Sequence, residues 1–172
     1  INPNQIRFKA ILSFLDKNFQ YLNLELKNKI ANIRWVPIKK QKPGCFPPSL
    51  PFHGEHSNQS LACYNEVFSS DFEKIVGSVC SIVESCCLDN VENYFGWKRL
   101  PSPDLVFEHL KILVSNFNRL EKFHVLDLLK EIYQYLNNFS SHDLKQINHN
   151  EFPWIWVGDE FAKLSQVVMN VP

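Results

Sequence analysis

The chain has 172 residues, enough to bury a sizeable core, and its 45% apolar and 21% charged residues are those of a globular protein and exclude disorder. The formal net charge is zero, and nucleic acid is not an expected partner, because strong phosphate binding needs a net basic face with interleaved aromatics and the stretch Lys39-Lys40-Gln41-Lys42 holds none. No apolar run approaches the roughly 20 residues of a membrane helix, so a soluble chain is expected.

Residues 4 to 19 read as an amphipathic helix, with Ile6, Ala10 or Ile11, Phe14 and Leu15, then Tyr21 or Leu22, at helical spacing. Leu24 to Ala31 reads as a shorter helix feeding a strand from Ile33 to Ile38. Pro37 lacks a ladder N–H and confines that strand to an edge or an end. From Gln41 to Leu61 the chain is dense in breakers: Pro43, Gly44, Pro47, Pro48, Pro51 and Gly54. A segment of that length without regular structure is usually functional or mobile, and Phe46 and Phe52 are expected to pin it at two points. Lys74 to Val83 has strand-like β-branched content, with Gly77 at a possible bulge.

Leu88 to Phe95 reads as a helix ending at Gly96, which suits a left-handed C-cap before Trp97. Ser102-Pro103-Asp104 is a helix start, with Ser at the N-cap, Pro in the first turn and an acid at the positive end of the dipole. The helix it opens runs to Phe117, with Val106, Leu110, Leu113, Val114 and Phe117 on one stripe and Leu105 and Ile112 widening it. A second helix, Glu121 to Asn137, carries Val125, Leu129, Ile132 and Leu136. A short link makes the two an antiparallel hairpin. Ser141 to Ile147 predicts a short helix, and Val167 to Val171 a last extended piece. Between them Phe152-Pro153-Trp154-Ile155-Trp156-Val157-Gly158 is a strand-like run whose two tryptophans share a face.

The fold class expected is therefore α+β: helix-dominated, a single domain over residues 1–172 with a mobile Pro-rich loop at about 41–61, an antiparallel helical hairpin, and a small sheet built from Trp-containing strands. Trp35, Trp97, Trp154 and Trp156 are read as structural core with their indole N–H groups satisfied internally; the competing reading is a groove for an extended or Pro-rich peptide. Tryptophans in strands near both ends suggest that the two ends meet in one structure.

Charge is unevenly placed. Residues 1 to 45 hold nine Lys/Arg against two acids, and residues 46 to 96 one lysine against seven acids. The expectation is that these segments pack side by side and offset each other; the alternative is a basic patch for an acidic partner centred on Lys39, Lys40 and Lys42. With Phe46, Phe52 and His53, these lysines form the candidate interaction surface.

Five cysteines, at positions 45, 63, 80, 86 and 87, include no CxxC pair, against both a disulfide framework and a zinc finger, and fit a reducing cytoplasmic compartment. The chain begins at Ile1 without a charged leader or apolar secretory segment and is read as an excerpt of something longer. Glycosylation at Asn58-Gln59-Ser60 or Asn138-Phe139-Ser140 is accordingly not expected.

No catalytic constellation stands out. The five glycines, at 44, 54, 77, 96 and 158, never cluster, so neither common phosphate loop can be built and no cofactor is expected; the nucleophile elbow is missing too. His53-Gly54-Glu55-His56 is the most tempting metal candidate, yet no downstream Cys/His pair completes four ligands, and an exposed loop is the preferred reading. Cys80, Cys86 and Cys87 are expected to be small buried hydrophobes rather than a redox site, since the sequence places no basic residue near the latter pair. Asp159-Glu160 fits a cap or turn better than an acid/base pair. His109 falls on the apolar side of its helix and is read as a hydrogen-bonded core histidine.

In order along the chain, Ile33-Arg34-Trp35-Val36-Pro37, Pro48-Ser49-Leu50-Pro51 with Gly54-Glu55, Ile75-Val76-Gly77-Ser78, Gly96-Trp97 with the Pro103 helix, and Pro153-Trp154-Ile155-Trp156-Val157-Gly158 together resemble the internal repeat of the sacsin family. Asp159-Glu160-Phe161 departs from the Gly-x-Gly-Phe turn of some copies. The resemblance implies a non-enzymatic, structural and protein-interaction module, found beside Hsp90-like ATPase domains in a giant cytoplasmic co-chaperone. It implies, for the full protein, partners in neighbouring Hsp90-like domains, Hsp70 and cytoskeletal clients of the intermediate-filament type; for this piece itself no nucleic acid, membrane, metal or cofactor is expected. An autonomous peptide- or client-binding module using the aromatic Pro-rich loop is the alternative, and a metal-dependent hydrolase at His53 and His56 a third.

Overall fold

The computed structural model describes residues 3–38, 61–83, 89–120, 122–145 and 152–167. Among them are seven α-helices and three pairs of two-residue strands, a helix-dominated α+β fold. The described residues fall into two compact units, the first formed by 3–38, 61–73, 80–83 and 89–100, the second by 74–79, 101–120, 122–145 and 152–167.

The first unit opens with α1 (Pro3–Asn18) and α2 (Leu24–Ala31). Asn23 starts α2 by accepting the Leu26 N–H at 2.8 Å, which satisfies one of the orphan donors of the first turn. The strand β1 (Val36–Pro37) pairs antiparallel with β2 (Leu61–Ala62), and β3 (Val67–Phe68) pairs parallel with β4 (Ser81–Ile82). An isolated bridge joins Ile38 to Val83. After α4 (Asp89–Phe95) the chain turns at Gly96, whose φ of 66° is the left-handed conformation expected of a helix C-cap.

The register of α1 differs from the expectation. Phe8, Leu12 and Leu15 are buried in a cluster with Val36, Ala62, Val67, Phe95 and Trp97, while Ile6, Ala10, Ile11 and Phe14 are exposed. The helix has apolar stripes on two sides, and its partners rather than its periodicity select the one that enters the core. Of the expected charge offset, Arg34 to Glu66 at 3.3 Å is one described pair joining the basic and acidic segments.

The second unit is built on a helical hairpin. α5 (Pro103–Ser115) starts with Pro103 in its first turn, although the Ser102 side chain makes no capping hydrogen bond. A turn of tighter helix, Phe117–Arg119, leads into α6 (Lys122–Leu136). The facing stripes are fully or nearly fully buried: Val106, Phe107, Leu110 and Leu113 on α5, Val125, Leu128, Leu129, Ile132 and Leu136 on α6. The short α7 (Ser141–Lys145) follows, then β5 (Ile155–Trp156) paired antiparallel with β6 (Phe161–Ala162). Gly158, at φ 107°, sits in the turn between these strands with Asp159 and Glu160, and the Val157 N–H donates to the Glu160 carbonyl at 3.0 Å.

The expected strand from Lys74 to Val83 is not formed. Residues 73–76 are a short helix, α3 (Glu73–Val76), and the strand is confined to Ser81 and Ile82. Ile75 and Val76 are both buried, so adjacent side chains enter the core, which an alternating strand with one wet face cannot achieve. The two Trp-bearing runs also belong to separate strand pairs: the Trp35 N–H donates to the Ala62 carbonyl beside β1, whereas Trp156 lies in β5.

Candidate functional site

Lys39, Lys40, Lys42, Phe46, Phe52 and His53, the expected interaction surface, lie outside the described residues, as do His56, Cys86 and Cys87. The described chain concentrates its unusual chemistry in two aromatic assemblies and one buried polar link.

In the second unit the run from Trp154 to Phe161 lies on the helical hairpin. The Trp154 ring meets Phe107 edge-on at 5.2 Å and Tyr133 at 5.9 Å between centroids. Two residues on, and on the same strand face, Trp156 packs against Phe117 at 4.9 Å and Phe161 at 5.0 Å. The Lys122 ammonium stands 5.4 Å from the Trp156 ring centroid and 3.8 Å from Asp159 Oδ1. Trp154 and Trp156 are half-buried rather than wholly internal. Beneath them the Tyr133 hydroxyl donates to the Trp154 carbonyl at 2.6 Å and accepts the Trp156 N–H at 3.1 Å. Burial raises the Tyr133 phenol pKa, opposed by that amide hydrogen bond. Nothing in the local sequence singles out Tyr133, since the contact spans a loop and depends on where the run lands.

In the first unit Trp97 is fully buried, and its indole N–H donates to the Tyr64 carbonyl at 2.8 Å. Phe95 is the hub, with Trp97, Trp35, Phe19 and Tyr64 within 4.5 to 5.6 Å between ring centroids. Trp35 is half-buried, and its indole nitrogen has no hydrogen-bond partner among the described residues, contrary to the expectation of internal satisfaction. Arg99 ties this region together, its guanidinium donating to the carbonyls of Asn65, Val67 and Gly96 and lying 4.0 Å from the Phe68 centroid.

The buried polar link is Ser78–His109–Lys74 in the second unit. The Lys74 carbonyl can only accept, so His109 Nε2 carries the proton and donates to it at 3.1 Å. Nδ1 then accepts from the Ser78 hydroxyl at 2.5 Å and the Ser78 N–H at 3.2 Å. Burial lowers the His109 pKa from 6.5 to about 4, against the opposing pull of the Lys74 carbonyl, so the ring is neutral at pH 7. Ser–His pairs can activate a hydroxyl, but here both residues have no exposed surface, and what the pair does is fix the segment after α3 to α5.

Cys80 is a free, half-buried thiol whose pKa burial raises to about 11. The fold brings Arg99 close enough to pull in the other direction, a basic neighbour invisible in the local sequence, yet desolvation wins. Among the described residues no group of three or more His, Cys, Asp or Glu side chains is placed to hold a metal ion. None of the described helices is long and apolar enough to cross a membrane.

Several residues that carry the resemblance noted above occupy structurally demanding positions. Gly96 and Gly158 adopt positive φ, Trp97 fills the first core, Ser78 holds His109, and Pro103 opens α5. No family model matches the chain, and no solved structure matches it. Among curated proteins the chain is similar to human sacsin, with 29% identity over 168 residues. That alignment takes in 94% of this chain and 4% of sacsin, so the chain resembles a small piece of a very much longer protein.

Proposed function

We propose that the chain is a non-catalytic structural and protein-interaction module of the sacsin repeat type, which packs with or spaces Hsp90-like ATPase domains and contributes to client handling by a cytoplasmic co-chaperone of the Hsp70 machinery. The observation that carries this reading is the alignment with sacsin, which runs over 94% of the chain yet only 4% of the relative. A match of that shape is what one module of a large multidomain protein produces. The positions of Gly96, Trp97, Ser78 and Gly158 support the reading, because each serves chain geometry or packing rather than a reacting centre.

Limited proteolysis with mass spectrometry tests the proposal, on the 172-residue chain alone and joined to an Hsp90-like domain of the same protein. Protection of module sites in the joined protein is expected. Identical cleavage patterns in the two would overturn the packing role.

A further inference from the structure

α1 carries two apolar stripes and the first unit uses one of them. Phe8, Leu12 and Leu15 enter the core. On the opposite side Ile6 is 57% and Phe14 58% exposed, with Ala10 exposed between them. Positions 6, 10 and 14 follow at i, i+4 and i+8 and form one ridge about 12 Å long. Ile11, three residues before Phe14 and also exposed, widens it. Single apolar residues on a surface need no explanation, but an ordered ridge on one helix face is the pattern of helix-to-helix docking.

The charges around this ridge have one sign. Arg7, Lys9 and Lys17 are exposed, Arg7 beside Ile6 and one turn before Ile11, Lys17 one turn after Phe14. The only acid of α1 is Asp16, which is half-buried. Among the described residues no acidic side chain forms an ion pair with Arg7, Lys9 or Lys17. Such a surface repels basic partners and draws acidic ones.

We propose that the outer ridge of α1, made by Ile6, Ala10 and Phe14 and flanked by Arg7 and Lys17, docks an acidic amphipathic helix. The partner presents large apolar residues at i, i+4 and i+7 to the ridge, fitting over the small Ala10, and Asp or Glu on its flanks to the basic side chains. A bilayer is a poorer match, because interfacial helices present a broad apolar face and the larger buried stripe of α1 points into the core. This inference deepens the interaction-module reading and rests on it.

The test is fluorescence anisotropy of a synthetic acidic amphipathic peptide, Leu on one face and Glu on its flanks, titrated with the 172-residue chain. A scrambled peptide of the same composition and phosphatidylcholine–phosphatidylserine vesicles are run in parallel. The patterned peptide should bind alone, more weakly as salt rises. Phe14→Asp should weaken it about tenfold or more. The double variant Arg7→Glu, Lys17→Glu should lose the acidic peptide and gain one with Lys in place of Glu. Both variants alter exposed side chains, and an unchanged circular dichroism melt checks that they fold. Absence of binding, binding that survives Phe14→Asp, equal binding of the scrambled peptide, or affinity for vesicles alone overturns the proposal. None of these results bears on the proteolysis comparison, which tests the module reading by itself.

Discussion

The hydroxyl of Tyr133 takes the place that a neighbouring strand would occupy beside Trp156, accepting its N–H and donating to the carbonyl two residues back at Trp154. The outer edge of β5 is thereby closed by one side chain from α6. An open edge exposes unpaired backbone groups to other chains, and here a phenol satisfies two of them while its ring packs on Trp154.

Tyr133→Phe keeps the ring and removes the closure. The Trp154 carbonyl and Trp156 N–H lose their shared partner, at a cost of about 1–2 kcal/mol. Urea denaturation should show that loss, and sedimentation should show more self-association of the variant at high concentration.

The tryptophans should separate by burial. Trp97 has no exposed surface and a hydrogen-bonded indole, so Trp97→Ala should cost about 3–5 kcal/mol. Trp156 is half-buried, and Trp156→Ala should cost about 2 kcal/mol. Denaturation of the two variants checks the order; equal losses would contradict the packing described.

His109 makes stability depend on pH. Its folded pKa is about 4 against 6.5 when unperturbed, so between those values the unfolded chain binds a proton that the folded chain does not. The contribution is complete above pH 6.5, falls as the pH drops toward 4, and totals on the order of 3 kcal/mol. In urea titrations over that window His109→Leu should give a flatter pH dependence than the unmodified chain, even though it removes the bonds to Ser78 and Lys74.

Cys80 should react slowly. With its pKa raised to about 11, little thiolate exists at pH 7.5, and iodoacetamide should label it far more slowly than it labels a free thiol in a denatured sample. Mass spectrometry of the peptide containing Cys80 measures the rate. Labelling as fast as in the denatured chain would contradict the burial described.

What the sequence could show depended on how local the determinant was. The hairpin of α5 and α6 was legible because its stripes, Val106, Leu110 and Leu113 with Val125, Leu129 and Ile132, repeat at helical spacing, and all six are buried. Gly96 and Pro103 were legible as a helix stop and start because each is a backbone property of one residue. The buried side of α1 was not legible, since Ile6 and Phe14 are as apolar as Phe8 and Leu15 and the choice is made by distant partners. The same holds for residues 74–79, where β-branched content suggests a strand but the end of α3 and a turn are formed, the turn held by contacts such as Ser78 with His109. The candidate surface at Lys39, Lys40, Lys42, Phe46, Phe52 and His53 lies outside the described residues, and the exposed ridge of α1 came from burial rather than motif.

Hydrogen–deuterium exchange is the direct test of whether this chain acts by contact with neighbouring domains, as proposed. Exchange is followed on the chain alone and joined to the Hsp90-like domain that the proposed function places beside it. Slowed exchange is expected over one contiguous set of surface segments in the joined protein, with the cores around Trp97 and Leu110 unchanged. Identical exchange in both forms would contradict it.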